Sequence, residues 1–133
     1  MNDPDASNDP IGRFDHVTRL PNRTQLLEKI GVDLDAARQG NERWALLLVT
    51  LADAQHFNQI LRALGHNFSE DFIRSGAQRL LSVIPPGSDL YNVSVLSFAF
   101  IVDADGEPIP PVLARTVAAQ FEEPIQVGDI PIR

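Results

Sequence analysis

"LYNVSVLSFAFIV", Leu90 to Val102, contains no charged side chain, in a protein whose Asp and Glu outnumber Lys and Arg by 18 to 11. Asp89 stands immediately before it and Asp103 immediately after. Apolar residues on either side of a break near Ser94 predict a strand, a tight bend and a second strand. A bend on a sheet edge is ordinarily where polar groups are displayed. Here it carries valine, leucine and serine.

Upstream, "WALLLVTLA", Trp44 to Ala52, is nearly continuous apolar without alternation, the pattern of a central strand covered on both faces. Two helices are expected between this strand and the hairpin. The first, near Gln55 to Leu64, stops at Gly65, a common C-terminal signal. The second, near Ser69 to Ile84, sets Phe72, Ile73, Ala77, Leu80 and Leu81 along one stripe and is broken by "PPG" at Pro85 to Gly87. Nearer the N-terminus, Leu26, Leu27, Ile30, Leu34 and Ala37 recur at helical spacing and predict a helix from about Arg23 to Gln39. Pro21 turns the chain into it, Asn22 fits its N-cap, and Gln25 could reach back as in a capping box. Gly31 should weaken its middle by up to about 1 kcal/mol. Residues 1 to 12, rich in Asp, Asn, Pro and Ser, read as a flexible lead.

Downstream of the hairpin, "DADGEP" is a turn, and Pro110 to Glu123 predicts a helix with proline in its first turn. "PIQVGDIPIR" closes the chain as two short strand-like pieces around Gly128 and Asp129. The order α, β, α, α, β, β, α, β predicts an α+β domain, with helices flanking a mixed, mostly antiparallel central sheet.

Composition narrows the function classes. At 133 residues, with 44% hydrophobic and 22% charged side chains, the chain matches a single globular domain. A net charge of -7, with its bases scattered, argues against nucleic acid or an anionic membrane as partner. The absence of cysteine excludes disulfides and thiolate metal sites. His16, His56 and His66 are too irregularly spaced for a zinc site. The acidic opening "MNDPDASNDP" lacks the basic-then-apolar pattern of a secretory signal, and the longest apolar runs are strand-sized, so the expected compartment is the cytoplasm.

Two blocks carry a resemblance to a known family. "DHVTRLPNR", Asp15 to Arg23, resembles the D-x-L-T-G-L-P-N-R opening of the GGDEF domain, the family of bacterial diguanylate cyclases, with Arg19 replacing the usual glycine and Val17 the usual leucine. "LLLVTLADAQHFNQILRALGHNFSEDF" is similar to the family's strand followed by D-x-D-x-F-K-x-I-N-D-x-x-G-H-x-x-G-D, and shares Asp53, Phe57, Ile60, Gly65 and His66. The resemblance runs from about residue 13 to the end. With Phe98 on the family's phenylalanine, the name-giving turn reads Ser94-Val95-Leu96-Ser97-Phe98. In the family a strand like "IPIR" leads into a further hairpin, so 13–133 is expected to be a degenerate GGDEF domain lacking its C-terminal strands.

The resemblance implies a site that has lost its chemistry. The family's two glycines let the backbone fold beneath nucleotide phosphates, and its two acids bind magnesium and assist near the ribose hydroxyl. Leu96 and Ser97 can do neither, since Mg²⁺ wants oxygen ligands and Leu96 offers none. Asp53 falls on the first metal-binding aspartate and is the one retained metal candidate, but capping the helix near Gln55 is its plainer role. Among the other vestigial positions, Asn58 replaces a lysine, Leu61 the base-reading asparagine, Arg62 an aspartate, Ser69 a glycine and Glu70 the downstream aspartate. Leu61 is expected in the core or filling a pocket. His66 is expected to tie its turn through side-chain hydrogen bonds, with His16 and His56 on the surface. The family's product-inhibition motif R-x-x-D is represented by "IPPGSDLY", which has no arginine, so no such site is expected.

The expectation that follows is a non-catalytic regulatory or interaction domain of a bacterial cyclic di-GMP signalling protein. It would have no catalytic residues and no resident cofactor, Mg²⁺ and GTP being expected only of a working site. By resemblance, its partner would be a downstream GGDEF or EAL domain of the same polypeptide, with a homodimer through an exposed sheet edge as a further option. No nucleic-acid or membrane contact is expected. The alternatives are a sensor that binds GTP through Asp53, Glu70 and backbone groups without turnover, and an active cyclase joining two GTP molecules.

Overall fold

The uncharged segment supplies the middle strand of the sheet and the strand beside it. In the computed structural model, which describes residues 12–40, 43–106, 108–123, 125–127 and 130–132, its two arms are β2 (Leu90–Asn92) and β3 (Ser97–Asp103). The other elements are α1 (Arg23–Gly40), β1 (Trp44–Thr50), α2 (Ala54–Leu64), α3 (His66–Val83), α4 (Pro110–Gln120), β4 (Ile125–Val127) and β5 (Ile130–Ile132). Strand order is β1-β3-β2, antiparallel throughout, with Trp44 opposite Asp103 and Leu90 opposite Phe100. β4 and β5 form a separate antiparallel hairpin. The parallel component expected of a mixed sheet is limited, among the described residues, to an isolated bridge between Asn22 and Asn92. The expected lead at residues 1 to 12 lies outside the described residues except for its last, Gly12.

Alternation along β3 assigns the two faces. Phe98 and Phe100 join Leu90, Phe72, Leu80, Leu113 and Val117 in the main core, beneath α3 and α4. Ala99 and Tyr91 face the other way and meet Leu26 of α1, with Ile30 and Ile101 packed around them. Phe72, Phe98, Phe100 and Leu80 are the largest fully sealed side chains, and burying each contributes roughly 1.5–3 kcal/mol.

Three expectations about burial change. Among the described residues β1 pairs with β3 alone, and its apolar run is not covered on both faces: Leu46 is 44% and Leu48 64% exposed. α1 packs over β2. α1 buries a narrower stripe than its spacing predicts, because Leu26 alone of that set is buried while Leu27 and Leu34 are exposed. The side chain of Ala37 lies outside the described residues. On α3, Leu81 is exposed while Phe72, Ile73, Ala77 and Leu80 are buried. Gly76 faces Leu51, and a Cβ there would lie 2.6 Å from Leu51 Cδ1, so the glycine sets how closely α3 approaches the end of β1.

Candidate functional site

The signature turn closes without glycine because it does not need one. Among the described non-glycine residues, Arg19 alone has a positive φ, so Ser94 to Ser97 turn through dihedrals open to any side chain. Ser97 N–H donates to the Ser94 carbonyl at 3.3 Å, while Val93 and Ser94 N–H groups both donate to the Ser97 carbonyl. These donors are therefore spent inside the turn, not offered to a phosphate. Leu96 packs against the main core, and its carbonyl accepts from Leu51 N–H at 2.9 Å. Val95 points outward, and Ser97 Oγ lies 3.1 Å from Thr50 Oγ1 across the sheet.

Asn92 is the residue that sequence reasoning missed. It is 4% exposed, and its side-chain amide donates to the carbonyls of Ser94 at 2.6 Å and Ser97 at 3.2 Å. Its Oδ1 faces Thr18 Oγ1 at 2.9 Å, and its backbone N–H donates to the Pro21 carbonyl. One buried side chain thus braces the turn against the loop before α1. A lone asparagine in an apolar strand was the available signal, since a buried amide must find partners.

That loop is organised by Asp15, whose carboxylate accepts from the N–H groups of Val17 and Thr18 at 2.9 and 2.8 Å. Arg19 sits at φ 64, the left-handed conformation that explains a glycine at this position in the family motif. Asn22 caps α1 as expected, accepting from Thr24 N–H at 3.0 Å, and Arg23 is exposed.

Two of the positions matched to the family motif, Asp53 and Glu70, have local partners. Asp53 caps α2, its carboxylate accepting from His56 N–H at 2.7 Å. Glu70 lies 3.5 Å from Arg74, whose Nε also donates to the Val17 carbonyl and whose Nη1 pairs with Asp71. Arg74 therefore ties α3 to the loop, a role no motif announced. Asn58 is exposed; Leu61 is half-buried and belongs to neither core, where the sequence had placed it in the core or a filled pocket.

The turn between α2 and α3 is held by backbone rather than by His66. Gly65, at φ 88, donates its N–H to the Leu61 carbonyl and accepts from Ser69 Oγ at 3.0 Å. His66 is exposed, and its side chain makes no hydrogen bond among the described residues. Ser69, on the family's glycine, is 2% exposed through this contact. His16 is exposed as expected; His56 is half-buried.

Set against a magnesium ion, the turn from Ser94 to Phe98 offers no carboxylate. Leu96 contributes no oxygen, Asp53 is engaged as a cap and Glu70 faces Arg74. Among the described residues no group of three or more His, Asp or Glu side chains is arranged to hold a metal ion.

A polar cavity of about 550 Å³ opens at the other end of the sheet, between Lys29, Asp33, Asp89, Tyr91 and Asp103. Asp33 hydrogen-bonds to Lys29 at 3.1 Å and raises its pKa, and burial raises that of Tyr91. Asp89 lines this cavity and lies apart from the signature turn.

An antiparallel sheet of order β1-β3-β2, crossed by α2 and α3 between its first two strands in sequence and carrying an exposed turn between β2 and β3, defines an α+β domain of the nucleotide-cyclase type. The chain belongs to the GGDEF family: the model of the diguanylate cyclase GGDEF domain matches residues 13–132. Among curated relatives, the signaling protein YkoW of Bacillus subtilis is 29% identical over 121 residues. The cyclic di-GMP phosphodiesterase NbdA of Pseudomonas aeruginosa is 24% identical over 120. Each match covers 90% of this chain and 15% of the relative, so the chain spans about a seventh of their length. The crystal structure of the FimX GGDEF domain from Pseudomonas aeruginosa shares the fold with a TM-score of 0.79 at 14% identity, over 92% of this chain and 75% of that one. Among the described residues, no helix is long and apolar enough to cross a membrane.

Proposed function

We propose that this domain is a non-catalytic GGDEF module that acts as a regulatory or docking element in a larger cyclic di-GMP signalling protein. The observation that carries this reading is Leu96. At the position of a metal-binding acid stands an aliphatic side chain packed against the core. Phosphoryl transfer between nucleotides depends on cations neutralising the developing charge, and a leucine removes an oxygen donor from that work. Asp53 and Glu70 are compatible with the same reading, since one oxygen of Asp53 caps α2 and one oxygen of Glu70 faces Arg74. Asn92, Thr18 and Arg74 meanwhile hold the framework together. A frame held together around a turn that lacks the metal-binding acid suits a module that is recognised by shape.

The partner we favour is a GGDEF or EAL domain elsewhere in the same polypeptide. Isothermal titration with GTP and Mg²⁺, alongside a turnover assay, tests the proposal. No binding heat at millimolar nucleotide and no cyclic di-GMP are the expected results. Binding without product would establish a nucleotide sensor instead, and any cyclic di-GMP would overturn the reading.

A further inference from the structure

The register of β2 and β3 gathers a polar site beneath α1, at the end of the sheet away from the signature turn. β3 pairs Phe100 with Leu90 and Ala99 with Tyr91, and side chains two residues apart on a strand share a face. Tyr91, Ala99, Ile101 and Asp103 therefore lie on the face that α1 covers, and Asp89, two residues before Tyr91, lines the same cavity. Ser88 Oγ donates to the Ile101 carbonyl at 3.2 Å and ties the turn before β2 to the end of β3. Lys29 and Asp33 supply the wall on the α1 side.

Charge selects what this cavity takes. Lys29 is paired with Asp33 at 3.1 Å, and Arg43 with Asp105 at 3.4 Å. Asp89 and Asp103 also line the cavity, and neither has an ion-pair partner among the described residues. The walls thus carry an excess of negative charge, which repels a phosphate and attracts a cation. Among the described residues no three Asp, Glu or His side chains are arranged to hold a metal ion. Tyr91 makes a separate demand. It is 6% exposed, packed with Leu26 and Ile30, and its hydroxyl has no hydrogen-bond partner among the described residues. Burial, with the charge of Asp89, holds its pKa above the ordinary tyrosine value. A buried tyrosine hydroxyl ordinarily finds a partner, and an ammonium group facing Asp89 supplies one by donating to the phenol oxygen.

We infer that this cavity binds an alkyl diamine, with one ammonium group between Asp89 and the Tyr91 hydroxyl and the other at Asp103. Continued by one residue, the β2–β3 register sets Asp103 diagonal to Asp89, a separation of about 7–8 Å between strands that a short alkyl chain spans. Ile101 and the Tyr91 ring form the apolar floor beneath that chain. The site differs from the signature turn in place and in the sign of its ligand, so it stands whether or not the turn binds nucleotide.

Trp44, the single tryptophan of the chain, lines the cavity, so its fluorescence reports occupancy. Titration of the full 133-residue chain with 1,4-diaminobutane at constant ionic strength should give a saturable change, with a Kd on the order of 0.1–1 mM. n-Butylamine carries one charge and should bind about 10-fold more weakly. A change that never saturates, or that matched sodium chloride reproduces, overturns the inference. Asp89→Asn and Asp103→Asn should each weaken the diamine by about 10-fold, and unchanged affinity in both refutes the assignment. Tyr91→Phe keeps the ring and should weaken binding by about 5-fold without lowering the urea midpoint, because the hydroxyl bonds nothing in the free protein. A lowered midpoint would show that the hydroxyl already has a structural partner, and would remove the ground for the site. Amide chemical shifts give an independent readout. They should move at residues 29–33, 88–91 and 101–105, and movement confined to the signature turn would overturn the placement.

Discussion

The two faces of the sheet are built to different standards. On one, Leu90, Phe98 and Phe100 are sealed beneath α3 and α4 with Phe72 and Leu80. On the other, Tyr91 and Ala99 meet Leu26 of the single helix α1, and Leu46 and Leu48 remain exposed. The difference lies in what each strand position was given. β3 puts its two phenylalanines on the first face, and on the second an alanine between Ser97 and Ile101. Large rings need several elements to enclose them, whereas a small side chain is covered by one helix. The thin face is where this molecule has apolar surface to spare, and the thick face is where its stability resides.

Cavity-forming substitutions should separate the faces most sharply. Phe100→Ala should cost about 3–5 kcal/mol in urea unfolding, since the space left behind is walled by α3 and α4 and cannot collapse. Leu26→Ala should cost about 2 kcal/mol, at the low end of its class, because α1 can settle towards Ala99. Equal losses at the two sites would abolish the distinction drawn between the faces.

Asn92 lies at the end of β2, where the turn and the loop before α1 meet, and belongs to neither face alone. Asn92→Ala should cost about 1–3 kcal/mol, because it leaves the Ser94 and Ser97 carbonyls and Thr18 without their buried partner. Faster amide exchange confined to residues 15–22 and 93–97 would localise the damage to this brace. Uniform loss across the sheet would make Asn92 part of the core instead.

Two glycines provide the smallest and most diagnostic contrast. Gly76→Ala, on the thick face, should destabilise by about 1 kcal/mol net, because displacing Leu51, which its methyl group would press on, costs more than alanine gains in helix propensity. Gly31→Ala, on α1, should stabilise by up to about 1 kcal/mol, since a Cβ there meets no atom within 4 Å and alanine favours helix. The same change with opposite signs is what a tight face and a loose one require. Matching signs in denaturant midpoints would contradict it.

Much of this organisation was legible in the sequence. Helix and strand order followed from period and punctuation: Asn22 and Asp53 as caps, Gly65 as a stop, Pro110 as a start, and the uncharged hairpin from its flanking aspartates. The motif resemblance found the family because short blocks at fixed spacing are local properties of a chain. The local partners of Asp53 were also readable, since a cap and its N–H groups are neighbours in sequence.

What the chain alone could not decide is which apolar residues would be covered. "WALLLVT" looks the same whether it lies in mid-sheet or at an edge, because burial depends on strands and helices distant in sequence. For the same reason Leu27, Leu34 and Leu81 sit on helical stripes that the fold leaves exposed. The bracing role of Asn92 also emerged only from the fold, which brings Thr18 to it from 74 residues away. Local chemistry fixed the elements and their ends; the packing of distant segments chose their faces, because covering a surface takes a partner that no local stretch contains.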